Sequence, residues 1–193
     1  MRPRLTLRTA TIAVGLIELG LLIGLAVYLA VGDRALVVGF PRREELRKGE
    51  AEARLTIPVA GVRQAELKDT WGASRAGGRQ HKGVDIFAAK GTPVVAAAAG
   101  IIVNRDSNGV GGLSLYHRAM DGRTIYYYAH LDGTRAGLKV GDLVRAGDVI
   151  GYVGSTGNVS GSPHLHFAAF TVTDPNQWWR GRDLNPYKLL TAP

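Results

Sequence analysis

His164-Leu165-His166-Phe167-Ala168-Ala169-Phe170-Thr171-Val172 has the composition of a β-strand, rich in aromatic and β-branched residues and opened by Pro163. Side chains alternate faces along an extended strand, so residues two apart point the same way. His164 and His166 therefore share one face, with Leu165 and Phe167 on the other. The stretches upstream carry the same texture. Residues 141–154 (GDLVRAGDVIGYVG) read as two short strands around Ala146-Gly147-Asp148. Residues 113–131 (LSLYHRAMDGRTIYYYAHL) read as a hairpin with Asp121-Gly122 at its turn. Residues 84–106 (VDIFAAKGTPVVAAAAGIIVNRD) give two or three strands, turning at Lys90-Gly91-Thr92-Pro93. Residues 55–62 (LTIPVAGV) read as a strand entering a loop. No stretch after residue 55 has a helical period. Residues 55–193 are thus expected to be one all-β domain, a two-sheet sandwich or barrel-like arrangement.

The first 54 residues differ. Residues 1–9 hold Arg2, Arg4 and Arg8 and no acid, and Ala10–Val31 is an apolar run interrupted only by Glu18. About twenty apolar residues suffice for a helix to cross a bilayer. Flanking arginines keep the N-terminus in the cytoplasm and send the remainder outside. Residues 10–32 are therefore expected to be a transmembrane signal-anchor, with a signal peptide cleaved near Ala30-Val31-Gly32 as the alternative. Residues 33–54, which include RREELRKGEAEAR, read as a charged juxtamembrane linker. The chain of 193 residues has no cysteine, which excludes disulfides, cysteine zinc ligands and a thiol nucleophile. A net charge of +8 favours polyanionic partners. No RNP-like aromatic pattern, finger or basic helix accompanies that charge, so nucleic acid is not the expected partner.

The chain has five histidines: His81, His117, His130, His164 and His166. His81-Lys82-Gly83-Val84-Asp85 places a His and an Asp four apart, with Gly83 and the β-rich sequence beyond favouring an extended form. Imidazole nitrogen and carboxylate oxygen are both good ligands for Zn²⁺. One histidine from His164-Leu165-His166 brings the protein ligands to three and leaves a coordination position open, as in catalytic zinc sites. His117 sits just before the hairpin turn and reads as a structural residue. Tyr126 and Tyr128 share a face on the strand leading to His130, where either one lines a cleft or packs in the core. Trp178 and Trp179 read as core residues, with a groove for extended substrate as the alternative.

Over residues 55–190 the chain resembles the lysostaphin-type, or LytM-domain, zinc metallopeptidases that cut peptidoglycan. The resemblance lies in Asp69-Thr70-Trp71-Gly72, HKGVDI, GTPVVAAAAGIIV, YYYAHL, VGDLVRAGDVIGYVGSTG, SPHLHF and Asn185-Pro186-Tyr187. It implies that one Zn²⁺ is held by His81, Asp85 and His166, and that His130 and His164 act as catalytic histidines beside it. It also implies peptidoglycan as substrate and a bacterial cell-envelope location, at the cytoplasmic membrane with the catalytic domain outside. Some relatives lack ligands and only activate other hydrolases, so a non-catalytic, wall-binding regulator with a protein partner is the alternative. All five family positions are intact here. Ala168 stands where a Glu is frequent, the loop 157–162 is one local variant among several, and the approach 74–80 is rich in Gly and Arg. These departures bear on substrate preference more than on catalysis.

Overall fold

The computed structural model describes residues 12–17, 24–31, 34–38, 55–174, 177 and 179–192. The chain divides into two compact units, Met1–Lys48 and Gly49–Pro193. In the first, β1 (Ile12–Ile17), β2 (Gly24–Val31) and β3 (Arg34–Val38) pair antiparallel in the order β1-β2-β3. The spanning helix expected over residues 10–32 is not shown among the described residues, which are strands at Ile12–Ile17 and Gly24–Val31. No helix among the described residues is long and apolar enough to cross a membrane. An apolar run broken only by Glu18 carries no period to separate strand from helix. Here Ile12, Val14, Ile17, Val27 and Val31 bring β-branched side chains that favour a strand. Glu18, the signal-peptide cleavage position Gly32 and residues 39–54 of the expected linker lie outside the described residues.

In the second unit a short hairpin, β4 (Ser74–Arg75) and β5 (Arg79–Gln80), stands apart from one large sheet. That sheet contains nine strands: β6 (Val84–Phe87), β7 (Pro93–Val95), β8 (Gly100–Asn108), β9 (Gly112–Ala119), β10 (Thr124–Thr134), β11 (Leu143–Val144), β12 (Val149–Val153), β13 (His164–Thr171) and β14 (Arg182–Leu184). The all-β expectation holds, but the layers are hydrogen-bonded into one branched sheet instead of two separate ones. The branch is at β10. It pairs with β9 along one edge, while its other edge meets β13 from Thr124 to Ala129 and β12 from Leu131 onward. The strands around Ala146-Gly147-Asp148 do not pair with each other. β11 joins β8, and β12 joins β7 and β10. The Asp121-Gly122 turn forms as read, with Asp121 Oδ1 accepting the backbone N–H groups of Arg123 and Thr124. Residues 55–62 contribute only an isolated bridge, Val59 to Val94.

The alternation in β13 decides where the core lies. Leu165 and Phe167 are fully buried, packed with Ile86, Leu115, Tyr126, Tyr128 and Val153. Both tyrosine rings lie against Phe167, Tyr126 stacked with centroids 5.9 Å apart and Tyr128 tilted at 5.3 Å. A short closing helix, α1 (Pro186–Thr191), escaped the sequence reading because six residues are too few to show a period. Its signals are local: Asn185 caps it by accepting from Lys188 N–H, and Pro186 occupies the first turn. Trp179 is exposed, not in the core. Trp178 lies outside the described residues.

Candidate metal centre and cleft

β13 and β6 run antiparallel with His166 opposite Asp85 and His164 opposite Phe87. That register carries both histidines and the carboxylate to one face of the sheet. His81 precedes β6 and turns back toward it. The result is a triangle of donor atoms: His81 Nε2 lies 2.8 Å from His166 Nδ1 and 3.0 Å from Asp85 Oδ1, and His166 Nδ1 is 3.1 Å from the same oxygen. Gly83 makes the approach possible. A Cβ there would stand 2.6 Å from the His166 ring and 2.7 Å from the Phe167 carbonyl oxygen.

Backbone carbonyls fix how the rings present themselves. His81 Nδ1–H donates to the Thr70 carbonyl at 2.7 Å, leaving the Nε2 lone pair toward the triangle. The Thr70 hydroxyl also accepts from Asp85 N–H at 3.1 Å. His130 Nδ1–H donates to the Thr156 carbonyl (2.9 Å) and His164 Nδ1–H to that of Ser162 (3.0 Å). Each thereby keeps a free Nε2. The two rings lie close to one another, centroids 5.1 Å apart, and His130 is 5.9 Å from His166. His164 Nε2 is 3.9 Å from Asp85 Oδ1.

The electrostatics of the triangle call for a cation. Burial alone would push the Asp85 carboxyl up, but hydrogen bonds and charge from His166 and His81 outweigh it and hold the group far below the usual range. Burial lowers His166, and lowers His130 against the Thr156 contact that raises it. Two imidazole nitrogens and a carboxylate oxygen converge in this space, all within 4.8 Å of one another. This donor set fits Zn²⁺. The second Asp85 oxygen is taken by the Arg75 guanidinium, which reaches in from the β4–β5 hairpin.

His130 stands at the branch of β10 with φ 64°, the one described non-glycine residue with positive φ. It is an extra residue in the strand, for the pairing to β9 jumps from Tyr128 to Leu131. The bulge flips the alternation. Tyr126 and Tyr128 therefore turn into the core, and Tyr127 lines the cleft with His130. The loops on either side hold the bulge in place. His130 N–H donates to the Gly111 carbonyl at 2.8 Å, and the Thr156 hydroxyl donates to the Leu131 carbonyl at 2.8 Å while accepting from Leu113 N–H. The loops touch where Gly157 crosses Gly112; a Cβ on Gly157 would meet Gly112 N at 2.4 Å. His117 is elsewhere, fully buried against Tyr128, whose hydroxyl accepts from Ala97 N–H and lies 3.1 Å from His117 Nδ1.

The structure thus brings together all five residues expected at the site: His81, Asp85, His130, His164 and His166. They line a cleft of about 1000 Å³. Thr70, Arg75 and Thr156 escaped the sequence reading. Thr70 and Thr156 lie inside recognised motifs, but nothing in their spacing shows that they grip a histidine.

The sequence family described as Peptidase family M23 matches residues 79–186. An L-Ala–D-Glu endopeptidase of Bacillus subtilis (strain 168) is 37% identical over 133 residues, covering 65% of this chain and 39% of that protein. Glycyl-glycine endopeptidase ALE-1 of Staphylococcus capitis is 44% identical over 100 residues, covering 51% of this chain and 27% of that protein. The crystallised catalytic domain of the antimicrobial peptidase lysostaphin from Staphylococcus simulans aligns with a TM-score of 0.56 and 34% identity. That alignment covers 65% of this chain and 92% of the domain. The chain spans well under half the length of these two curated relatives.

Proposed function

The chain belongs to peptidase family M23, and from that premise we propose that it is a zinc-dependent endopeptidase cutting peptide bonds of peptidoglycan. The observation that carries this reading is the convergence of His81 Nε2, Asp85 Oδ1 and His166 Nδ1, with the Nε2 edges of His130 and His164 beside them. His81, Asp85 and His166 hold the ion. When bound, zinc supplies Lewis acidity to the scissile carbonyl and lowers the pKa of water. His130 and His164 handle the protons at Nε2 and stabilise the oxyanion between them. Their Nδ1–H groups, tied to backbone carbonyls, keep both rings aimed into the cleft. The curated relatives named as endopeptidases support the reaction class.

The apolar run at residues 10–32 supports a membrane tether, with the peptidase unit outside the cytoplasm in a bacterial envelope. In lipid such a run is helical, because an open three-stranded sheet leaves edge groups without partners. The test of the enzymatic reading uses purified sacculi. Chelation abolishes release of peptides and added Zn²⁺ restores it; release that continues in chelator defeats the metal assignment. A purified protein with no metal-binding capacity would favour the non-catalytic regulator instead.

A further inference from the structure

We propose that Phe87 is a specificity-determining residue, an apolar subsite beside His164 that takes the methyl group of an alanine next to the bond that is cut and so selects alanine-bearing peptides over oligoglycine. The inference rests on the endopeptidase reading and names its substrate class. Side chains alternate along β6, so Phe87 lies on the side of Asp85 while Val84 and Ile86 pack into the core. The register to β13 sets Phe87 opposite His164, as it sets Asp85 opposite His166. The Phe87 and His164 rings are tilted at 46° with centroids 5.2 Å apart. His164 thus has two ring neighbours at nearly equal distance, Phe87 and His130, the latter at 5.1 Å.

Phe87 is nevertheless 56% exposed, and it lines the cleft. Five large apolar side chains are exposed among the described residues, and of these Phe87 and Val110 line this cleft. Val110 precedes Gly111, whose carbonyl holds the His130 N–H, so an apolar side chain accompanies each of the two histidines. An exposed aromatic ring contributes binding free energy once apolar surface covers it. One residue of an extended peptide advances about 3.3 Å. With a peptide bond at the Nε2 edge of His164, the neighbouring residue therefore comes within reach of Phe87. An alanine methyl there takes apolar surface of both partners out of water. Glycine has no side chain to offer.

The test uses the full zinc-loaded chain with a synthetic stem peptide and a set in which each alanine in turn is glycine. Turnover is read as kcat/KM. Affinity is read separately by fluorescence anisotropy of labelled peptides in a His130→Ala background, which does not depend on turnover. Glycine is also the more flexible residue, so part of any preference belongs to the peptides themselves. The deciding quantity is therefore the change in the alanine-to-glycine ratio when Phe87 is replaced. At one position the parent should prefer alanine, and that ratio should fall by about 4–10-fold in Phe87→Ser. Phe87→Leu, which keeps an apolar surface, should retain most of it. Phe87 is more than half exposed, so neither substitution opens the core, and zinc content is measured beside each. A parent chain that prefers glycine at every position overturns the subsite. So does a Phe87→Ser variant whose rate falls equally for alanine and glycine peptides, which would assign Phe87 to holding His164. If no peptide is cut, the endopeptidase reading fails, and the anisotropy ratio with and without Phe87→Ser still decides whether this residue selects the methyl.

Discussion

At Asp85 the two carboxylate oxygens face different partners, Oδ1 toward His81 and His166 and Oδ2 toward Arg75. Replacing Asp85 or His166 with Ala removes a ligand, and metal analysis of the purified variants should find zinc lost. His164→Ala leaves the triangle intact. Its zinc content should stay near that of the parent while turnover drops by ~100-fold or more, the usual size of a lost acid–base group. If His164→Ala is as metal-poor as His166→Ala, the division of roles within this pair is wrong. Arg75→Ala removes a hydrogen-bond partner of a ligand and should weaken zinc by about 10–100-fold in competition with a chelating dye. His117 marks a different, structural use of imidazole. Burial holds it at about 4, below its ordinary 6.5. Between those values an unfolded chain binds a proton that the folded one refuses. Stability owed to this group is whole above pH 6.5 and falls as pH drops toward 4, by about 3 kcal/mol across the window. Urea midpoints should show His117→Gln losing correspondingly less stability on acidification.

Among the elements, β10 carries the most consequence. Its bulge at His130 ends pairing with β13, begins pairing with β12 and puts the His130 imidazole at the junction. A left-handed backbone at a non-glycine residue costs about 1–3 kcal/mol and persists only where surrounding contacts impose it. Thr156 supplies several of them, through its carbonyl and its hydroxyl. Thr156→Val keeps the carbonyl but removes the hydroxyl contacts to Leu113 and Leu131. Each is worth about 1 kcal/mol. The expected outcome is a lower kcat with zinc content and KM little changed. A parallel loss of zinc would mean that the loop supports the ligands and not His130. The bulge also explains why the sequence reading held Tyr126 and Tyr128 as candidates for the cleft. Strict alternation pairs Tyr128 with His130, and one inserted residue transfers that relation to Tyr127.

For the molecule as a whole, two units invite one decisive separation. The full chain should fractionate with membranes and resist salt extraction, whereas a chain of residues 33–193 should remain soluble. Equal solubility of the two would leave the apolar run without an anchoring role. The all-β class, the position of Leu165 and Phe167 in the core and the pairing of His164 with His166 on one face were all legible along the chain. Each depends on the two-residue period of an extended strand, and a period is a property of sequence alone. The likeness of spaced motifs extended that reading to His81, Asp85 and His130. Contacts between distant segments have no such local signature. Thr70 under His81, Arg75 on Asp85 and Thr156 on His130 exist only once β6, β10 and β13 lie side by side. The N-terminal run shows the same limit from the other direction, since a nearly continuous apolar run has no period to separate a strand from a helix and the surroundings choose. What the sequence determined by itself was which residues face together along each strand; what tertiary structure decided was which strands meet, because register, bulge and loop crossing are set by hydrogen bonds between segments far apart in the chain.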